Sequence, residues 1–309
     1  MAGLFNPTLL AASSSECRFV LPIEVTEPYL NDHQPGGDPL FSTVMALEAA
    51  IGAARRVSPS ADPALIENIR VLRPYIARGD GPHVLELRVT SSPLASGQSL
   101  DCTVLSKSAD GAEMHHLHTR VNFAPPAAAA SAPTVRSSIF SPRSARAPAA
   151  VYDLFFHGPA FQVVADAEFQ IDRMLGRLRP RLPASHRNAV TESETAPRLI
   201  EFGLQSAGLL ELAVSGRMMI PHSIAHIERL VPVDVDHPGE ITSIARFGTP
   251  ERIWIDIEIL DEYGRLIMRI DRYRTEPLPF AVNQAAAARL RTELLRSDPT
   301  GPTHSELLI

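Results

Sequence analysis

The chain is short of cysteine, of clustered positive charge and of long apolar runs, and each shortage removes a class of function. Cys17 and Cys102 are the two cysteines in 309 residues. Two cysteines give neither a disulfide framework nor a cysteine-based zinc spacing, and a reduced, cytoplasmic setting is the expectation. Lys and Arg number 29 against 35 Asp and Glu, for a formal net charge of −6. No basic stripe of the kind that neutralises phosphates is present, so no nucleic-acid partner is expected. No apolar run approaches the roughly 20 residues of a membrane span, so no membrane partner is expected either. Met1 to Ser15 carries some apolar residues with no basic region before them and does not read as a secretion signal. His115, His116 and His118 look at first like metal ligands. Strand alternation turns His115 away and leaves only His116 and His118 on a shared face. Two ligands without a third make no zinc site, and no metal is expected.

What the chain does have is length, apolar content and one strong break in composition. At 309 residues, with 45% hydrophobic and 21% charged residues, two units of about 150 residues each are the prior. Residues 124–150 are rich in Ala, Pro, Ser and Arg, a linker composition in which the prolines forbid a continuous helix or central strand. This gives an N-terminal unit over 1–123, a linker over 124–150, a C-terminal unit over 151–280 and a helical or disordered tail over 281–309. The first unit reads as a strand over Arg18–Val25, a helix over Leu40–Arg55 on the spacing of Leu40, Val44, Leu47 and Ile51, and then strands over 66–76, 83–89, 100–105 and 115–123. The second reads as strands over 161–169 and 175–182, then a helix over Pro197–Val214 capped by Thr195 or Ser193. Strands follow over 224–231, 241–247, 253–260 and 265–273, the last two joined by the turn Asp261-Glu262-Tyr263-Gly264. A long helix with antiparallel strands, twice, argues α+β. No internal sequence repeat supports the duplication; it rests on element order.

Two segments far apart carry the candidate chemistry. In the first, His33 stands in a turn with Pro35, Gly36 and Gly37. Taken alone it reads as a surface turn histidine, and Gly37 as a plain turn glycine. In the second, Glu201 precedes Gln205 by one helical turn. The pair reads either as an exposed i, i+4 polar pair or as a carboxyl held by an amide in an apolar pocket. Leu199, Ile200, Phe202, Leu204 and Leu209 leave little room for a polar face, which favours the pocket.

Together these residues resemble the dehydratase domains of modular and iterative polyketide synthases and of polyunsaturated fatty acid synthases. Pro28-Tyr29-Leu30 with Asp32, His33 and Gly37 resembles the family's H-x-x-x-G-x-x-x-x-P motif and the residues before it, and Val44 to Ala50 resembles the helix after it. Phe156-His157-Gly158-Pro159-Ala160-Phe161-Gln162 resembles the Tyr-Gly-Pro-x-Phe segment. Pro197 to Glu211 resembles the helix carrying the D-x-x-x-Q/H motif. Order and spacing hold over roughly residues 17–279. The chain departs from the pattern in having Glu201 for the aspartate, Ser42 for the closing proline and His157 for the tyrosine.

The resemblance implies an α+β double hotdog, two long helices each wrapped by an antiparallel sheet. It implies removal of water from a 3-hydroxyacyl chain on an acyl carrier protein, to give a 2-enoyl thioester, with no metal or redox cofactor. The substrate would ride on the carrier's phosphopantetheine arm. His33 is then the base and Glu201 the acid. Gly37 or the following helix N-terminus would bond the thioester oxygen, and Gln205 would hold the acid. His157 is either part of the site wall or a local turn histidine. Gly158, Pro159 and Phe161 would shape the wall, with Pro221 a strand-entry proline near the site. The same residues are compatible with an enoyl isomerase or cyclase, or with a degenerate scaffold that binds acyl chains or the carrier without turnover. A homodimer and a larger synthase are equally compatible.

Overall fold

The structure, a computed structural model, describes residues 5–59, 63, 65–79, 82–91, 98–123, 148–170, 172–179, 193–230, 240–249, 251–279 and 281–296. The first unit runs β1 (Thr8–Ala12), β2 (Glu16–Ile23), α1 (Pro28–Asn31), β3 (Leu40–Phe41), α2 (Thr43–Val57), β4 (Leu65–Val71), β5 (Tyr75–Ile76), β6 (His83–Ser91), β7 (Gln98–Lys107) and β8 (Glu113–Phe123). The second runs α3 (Pro148–Tyr152), β9 (Val164–Gln170), β10 (Arg173–Leu178), α4 (Pro197–Ser215), β11 (Met219–Arg229), β12 (Thr242–Phe247), β13 (Ile255–Leu260), β14 (Leu266–Pro277) and α5 (Gln284–Arg296).

Among the described residues, twelve strands form one antiparallel sheet in the order β1-β2-β6-β7-β8-β4-β11-β14-β13-β12-β10-β9, and β3 pairs β5 apart from it. The first six strands wrap α2 and the last six wrap α4. This is the α+β double hotdog that the resemblance implies. The two units fuse at the β4–β11 ladder, where Ile66 faces Ile227 and Ile69 faces Ile224. All four isoleucines are buried. At about 1.5–3 kcal/mol for each fully buried side chain, this pairing is a packed seam rather than a hinge.

Each central helix follows from its sequence. In α2 the Ser42 side chain accepts the Met45 N–H at 3.4 Å, so the helix starts at Thr43 and not at Leu40 as the spacing suggests. Leu40 and Phe41 are extended and pair with Ile76 and Tyr75. The expected strand over 66–76 divides for the same reason: the chain breaks after Val71, around Pro74, and its end turns to meet β3. The strand expected from Phe161 begins instead at Val164, because Pro159–Phe161 forms a 3-10 turn. β1 is an addition that the sequence hides, since all five of its residues are exposed and carry no alternation. The turn from Asp261 to Gly264 does close the β13–β14 hairpin, with Gly264 at φ 73° and Asp261 accepting the N–H groups of Tyr263 and Arg265.

The linker expected over 124–150 lies outside the described residues up to 147; from Pro148 the chain is already helical. In the tail, α5 packs against α4, burying Ala286, Ala287, Leu290 and Leu294. Arg291 donates to the free carbonyls of Ala213 and Val214 at the end of α4.

The start of α4 corrects the expected caps. Neither Ser193 nor Thr195 caps it; Ala196 occupies the N-cap position in a left-handed conformation, φ 56°, with no side-chain cap. Glu48, buried in α2, imposes this turn from the other unit. Its carboxylate accepts the N–H of Glu194 at 2.6 Å, the N–H of Thr195 at 2.9 Å and the Thr195 hydroxyl at 2.7 Å. Burial raises its pKa and the three donors oppose that. In Glu48→Ala these three donors lose their acceptor inside the core. The substitution is expected to cost about 3 kcal/mol, read as a fall in the urea midpoint with little change in slope.

Candidate active site

His33 follows directly on α1 and is held by main-chain bonds on both sides. Its N–H donates to Leu30 O at 3.1 Å and its carbonyl accepts the Leu40 N–H at 2.9 Å. Its Nδ1 lies 2.9 Å from Leu40 O. A carbonyl can only accept, so Nδ1 carries the hydrogen and Nε2 is left with the lone pair. The ring packs among Phe156, His157 and Phe161 with centroid separations of 5.1–5.4 Å. Burial, opposed by the hydrogen bond to Leu40, lowers its pKa to about 4. The imidazole is therefore a neutral base at ordinary pH.

The residue before it ties the two units together. Asp32 O accepts the Gly158 N–H at 2.7 Å and Asp32 Oδ2 accepts the Ala160 N–H at 2.8 Å. Gly158 permits this approach, because a Cβ there would stand 2.6–2.8 Å from the Asp32 side chain. The clamp sets His33 against His157 across an antiparallel bridge.

The carboxyl comes from the second unit. Glu201 sits in the second turn of α4, a helix buried on nearly every face, and is 7% exposed. Burial raises its pKa to about 7, with the Gln205 hydrogen bond opposing the rise. A directed chain of donors orients it. The Val164 N–H can only donate, and it donates to the Tyr152 oxygen at 2.7 Å; the Tyr152 O–H then donates to Gln205 Oε1 at 2.9 Å. The amide must therefore turn its nitrogen the other way. That nitrogen donates to Glu201 Oε1 and to Phe161 O, each at 2.7 Å. His157 Nε2 stands 3.3 Å from the same Oε1. His157 Nδ1 is sealed in packing without a partner, and an orphaned lone pair costs less there than an orphaned N–H. The ring hydrogen belongs on Nε2, toward Oε1. Burial, then the neighbouring His33, depresses the His157 pKa well below its usual value, so this is a neutral contact and not an ion pair. With Oε1 engaged from two sides, Oε2, which takes no bond from a described residue, is the oxygen left to carry a proton.

His33, His157, Glu201 and Gln205 all line one cavity of about 210 Å³, with Ser42, Thr43, Pro221 and Tyr273 among the other walls. An imidazole and a carboxyl thus come from opposite units to one chamber, with His157 between them. Of the other expected residues, Gly37 is exposed, has φ 94° and donates its N–H to Gln34 O at 3.1 Å. It stands outside the cavity lining, because the turn uses its amide internally. Pro159 is exposed and opens the 3-10 turn. Phe161 is buried against His33 and borders a second cavity of about 20 Å³ that Glu201 also touches. Tyr152, Glu48 and Tyr273 were not singled out by sequence reasoning. Tyr152 lies 53 residues from the amide it orients, and no local pattern marks such a pair.

The three histidines of β8 need one correction. The register with β7 shifts between Val104 and Leu105, leaving His116 as an extra residue between His115 and Leu117. The bulge sends His116 inward, where Nε2 meets Ser106 Oγ at 2.8 Å and Nδ1 meets Arg73 O at 3.1 Å. His118 instead pairs with Thr103, so the two do not share a face. Among the described residues, no group of three or more His, Cys, Asp or Glu side chains is arranged to hold a metal ion, and no helix is long and apolar enough to cross a membrane.

A family model described as the polyketide synthase dehydratase domain matches residues 4–107, and one described as the polyketide synthase dehydratase N-terminal domain matches residues 131–285. The chain belongs to the polyketide synthase dehydratase family. Solved structures of family members share the fold at low identity. The dehydratase domain from the CurF module of curacin polyketide synthase is similar with a TM-score of 0.73 at 17% identity, over 90% of this chain and 99% of that one. The CurK dehydratase domain of the same synthase gives 0.74 at 15% identity, over 90% and 98%. A trans-AT polyketide synthase dehydratase domain from Brevibacillus brevis gives 0.71 at 17% identity, over 87% and 97%. No curated protein matches in sequence. The two family matches fall one on each helix-and-sheet unit, and the seam between those units is where this dehydratase-family chain gathers His33, His157 and Glu201.

Gly158→Ala tests that seam. The added Cβ must displace the Asp32 side chain, and the expected loss is about 1–3 kcal/mol, seen as a lower thermal midpoint. Asp32→Ala combined with Gly158→Ala is expected to lose less than the sum of the two single changes, because both act on one contact.

Proposed function

We propose that the chain is a hydro-lyase that removes water from 3-hydroxyacyl thioesters carried on the phosphopantetheine arm of an acyl carrier protein, giving 2-enoyl thioesters. His33 Nε2 takes the proton from C2, whose electrons form the C2–C3 double bond as the C3–O bond breaks. Glu201 Oε2 gives its proton to the departing hydroxyl, which leaves as water. One proton is taken and one given, so the step balances on two side chains, with no metal or redox cofactor in it. As enolate charge builds on the thioester oxygen, the N–H groups of Thr43 and Val44 are the donors at hand, since Ser42 takes those of Met45 and Ala46 and Ser42 and Thr43 line the cavity. This helix N-terminus is one of the two donors expected for that oxygen, Gly37 being the other.

The observation that carries the reading is the opposite displacement of two buried groups on one cavity. The imidazole is pushed down to about 4 and the carboxyl up to about 7. Between these values the base is free of its proton while the acid holds its own, which is the protonation state the elimination needs. An exposed pair would be the reverse over the same range.

The pH dependence follows with its sign. kcat/KM is expected to rise as pH increases through about 4, where His33 loses its proton, and to fall as pH increases through about 7, where Glu201 ionises. Incubation with short 3-hydroxyacyl thioesters, read by intact mass, should show loss of water. His33→Ala and Glu201→Gln are each expected to lower turnover by about 10²–10⁴-fold. Undiminished turnover in His33→Ala would overturn the assignment of the base, and a profile still rising above pH 7 would overturn that of the acid.

A further inference from the structure

Tyr273 on β14 is unaccounted for by the acid–base pair. It is 2% exposed and lines the cavity. Its hydroxyl makes no hydrogen bond with any described residue, although a buried phenol ordinarily finds a partner. Burial first, then the carboxyls of Glu201 and Glu211, raises its pKa well above the usual phenol value, so it keeps its proton and can both donate and accept. Two residues further along the same face of β14, Thr275 donates to Glu211 Oε1 at 3.0 Å. Glu201 and Glu211 lie ten residues apart on α4, about 15 Å along the helix. Tyr273 therefore faces α4 between them, beyond Glu201, in the wall that Gly208 also lines. The same cavity is lined by the apolar Phe155, Leu204, Met218 and Ile220, with Gln205 and Glu276 among its polar residues.

We infer that Tyr273 is a specificity-determining residue, whose phenol hydrogen-bonds an oxygen of the substrate remote from the reacting carbons. A buried phenol without a partner among the described residues favours a ligand that brings an oxygen to it over one that presents a methylene, since the methylene leaves the phenol unpaired. That oxygen comes either from a hydroxyl or carbonyl on the distal acyl chain or from an amide carbonyl of the pantetheine arm. The inference rests on the proposed dehydratase reading for its class of ligand.

The test uses unreactive amide analogues, so that it does not depend on turnover. Calorimetry compares 3-hydroxyoctanoyl and 3,5-dihydroxyoctanoyl groups, each joined through an amide in place of the thioester either to the pantetheine arm or to a simple ethylamine. Two comparisons are expected to be diagnostic. If the acyl chain supplies the oxygen, the wild type prefers the dihydroxy ligand by about tenfold or more and Tyr273→Phe abolishes the preference. If the arm supplies it, Tyr273→Phe removes a comparable part of the advantage of pantetheine over ethylamine and leaves the acyl comparison unchanged. The inference is overturned if Tyr273→Phe alters neither ratio by more than about twofold, a small part of what a hydrogen-bonding site commands. It is equally overturned if the wild type itself shows neither preference, a result that stands even if the variant fails to fold. Failure of the dehydratase reading shows separately, as absent water loss from reactive thioesters.

Discussion

Everything at the seam depends on two acidic residues of the first unit holding main-chain N–H groups of the second. Asp32 grips Gly158 and Ala160, and Glu48 grips Glu194 and Thr195. The bonds to the carboxylate oxygens are charge-assisted and at least partly shielded from water, where such bonds are strongest and where losing the acceptor costs most; the bond from Gly158 goes to the Asp32 carbonyl. One grip fixes the turn that carries His157 beside His33. The other forces Ala196 into a left-handed turn and so sets where α4 begins, one turn before Glu201. Without them the β4–β11 ladder would still join the sheets, but His33, His157 and Glu201 lie on neither of its strands.

The same burial that gives the units their cores tunes the site. No counter-charge is needed to explain either pKa displacement; removal of water is the largest cause for both His33 and Glu201. Desolvation disfavours whichever form is charged, so it lowers a base and raises an acid at once. A single dry chamber thereby prepares two groups of opposite character. The departures from the family pattern fit within this. His157 presents a ring nitrogen to the carboxyl, and Glu201, one methylene longer than an aspartate, is held by Gln205, itself held by Tyr152.

Much of the fold was legible because its signals are local. The spacing of Val44, Leu47 and Ile51 gave α2, Pro197 opened α4, and the Asp261–Gly264 turn placed a hairpin. The misreadings share a cause as well. Leu40 has the right period for the helix, yet the Ser42 cap excludes it. Strand alternation paired His116 with His118 until one extra residue in the β7–β8 register turned them apart. For the thioester oxygen two donors were legible, Gly37 and the N-terminus of the following helix, and in the structure the Gly37 N–H closes its own turn. In each case a hydrogen bond between residues that share no sequence period decided the outcome.

The sequence by itself determined that this chain is two helix-and-sheet units with a histidine in one and a carboxyl in the other, because apolar period, turn chemistry and motif order are properties of neighbouring residues. Only the tertiary structure decided which oxygen of Glu201 is free, which nitrogen of His33 is basic, that His157 stands between them, and that Tyr273 faces the chamber without a partner. Those facts depend on burial and on hydrogen-bond partners 44 to 53 residues away from the groups they orient, and desolvation and hydrogen-bond direction exist only once the chain has closed around them.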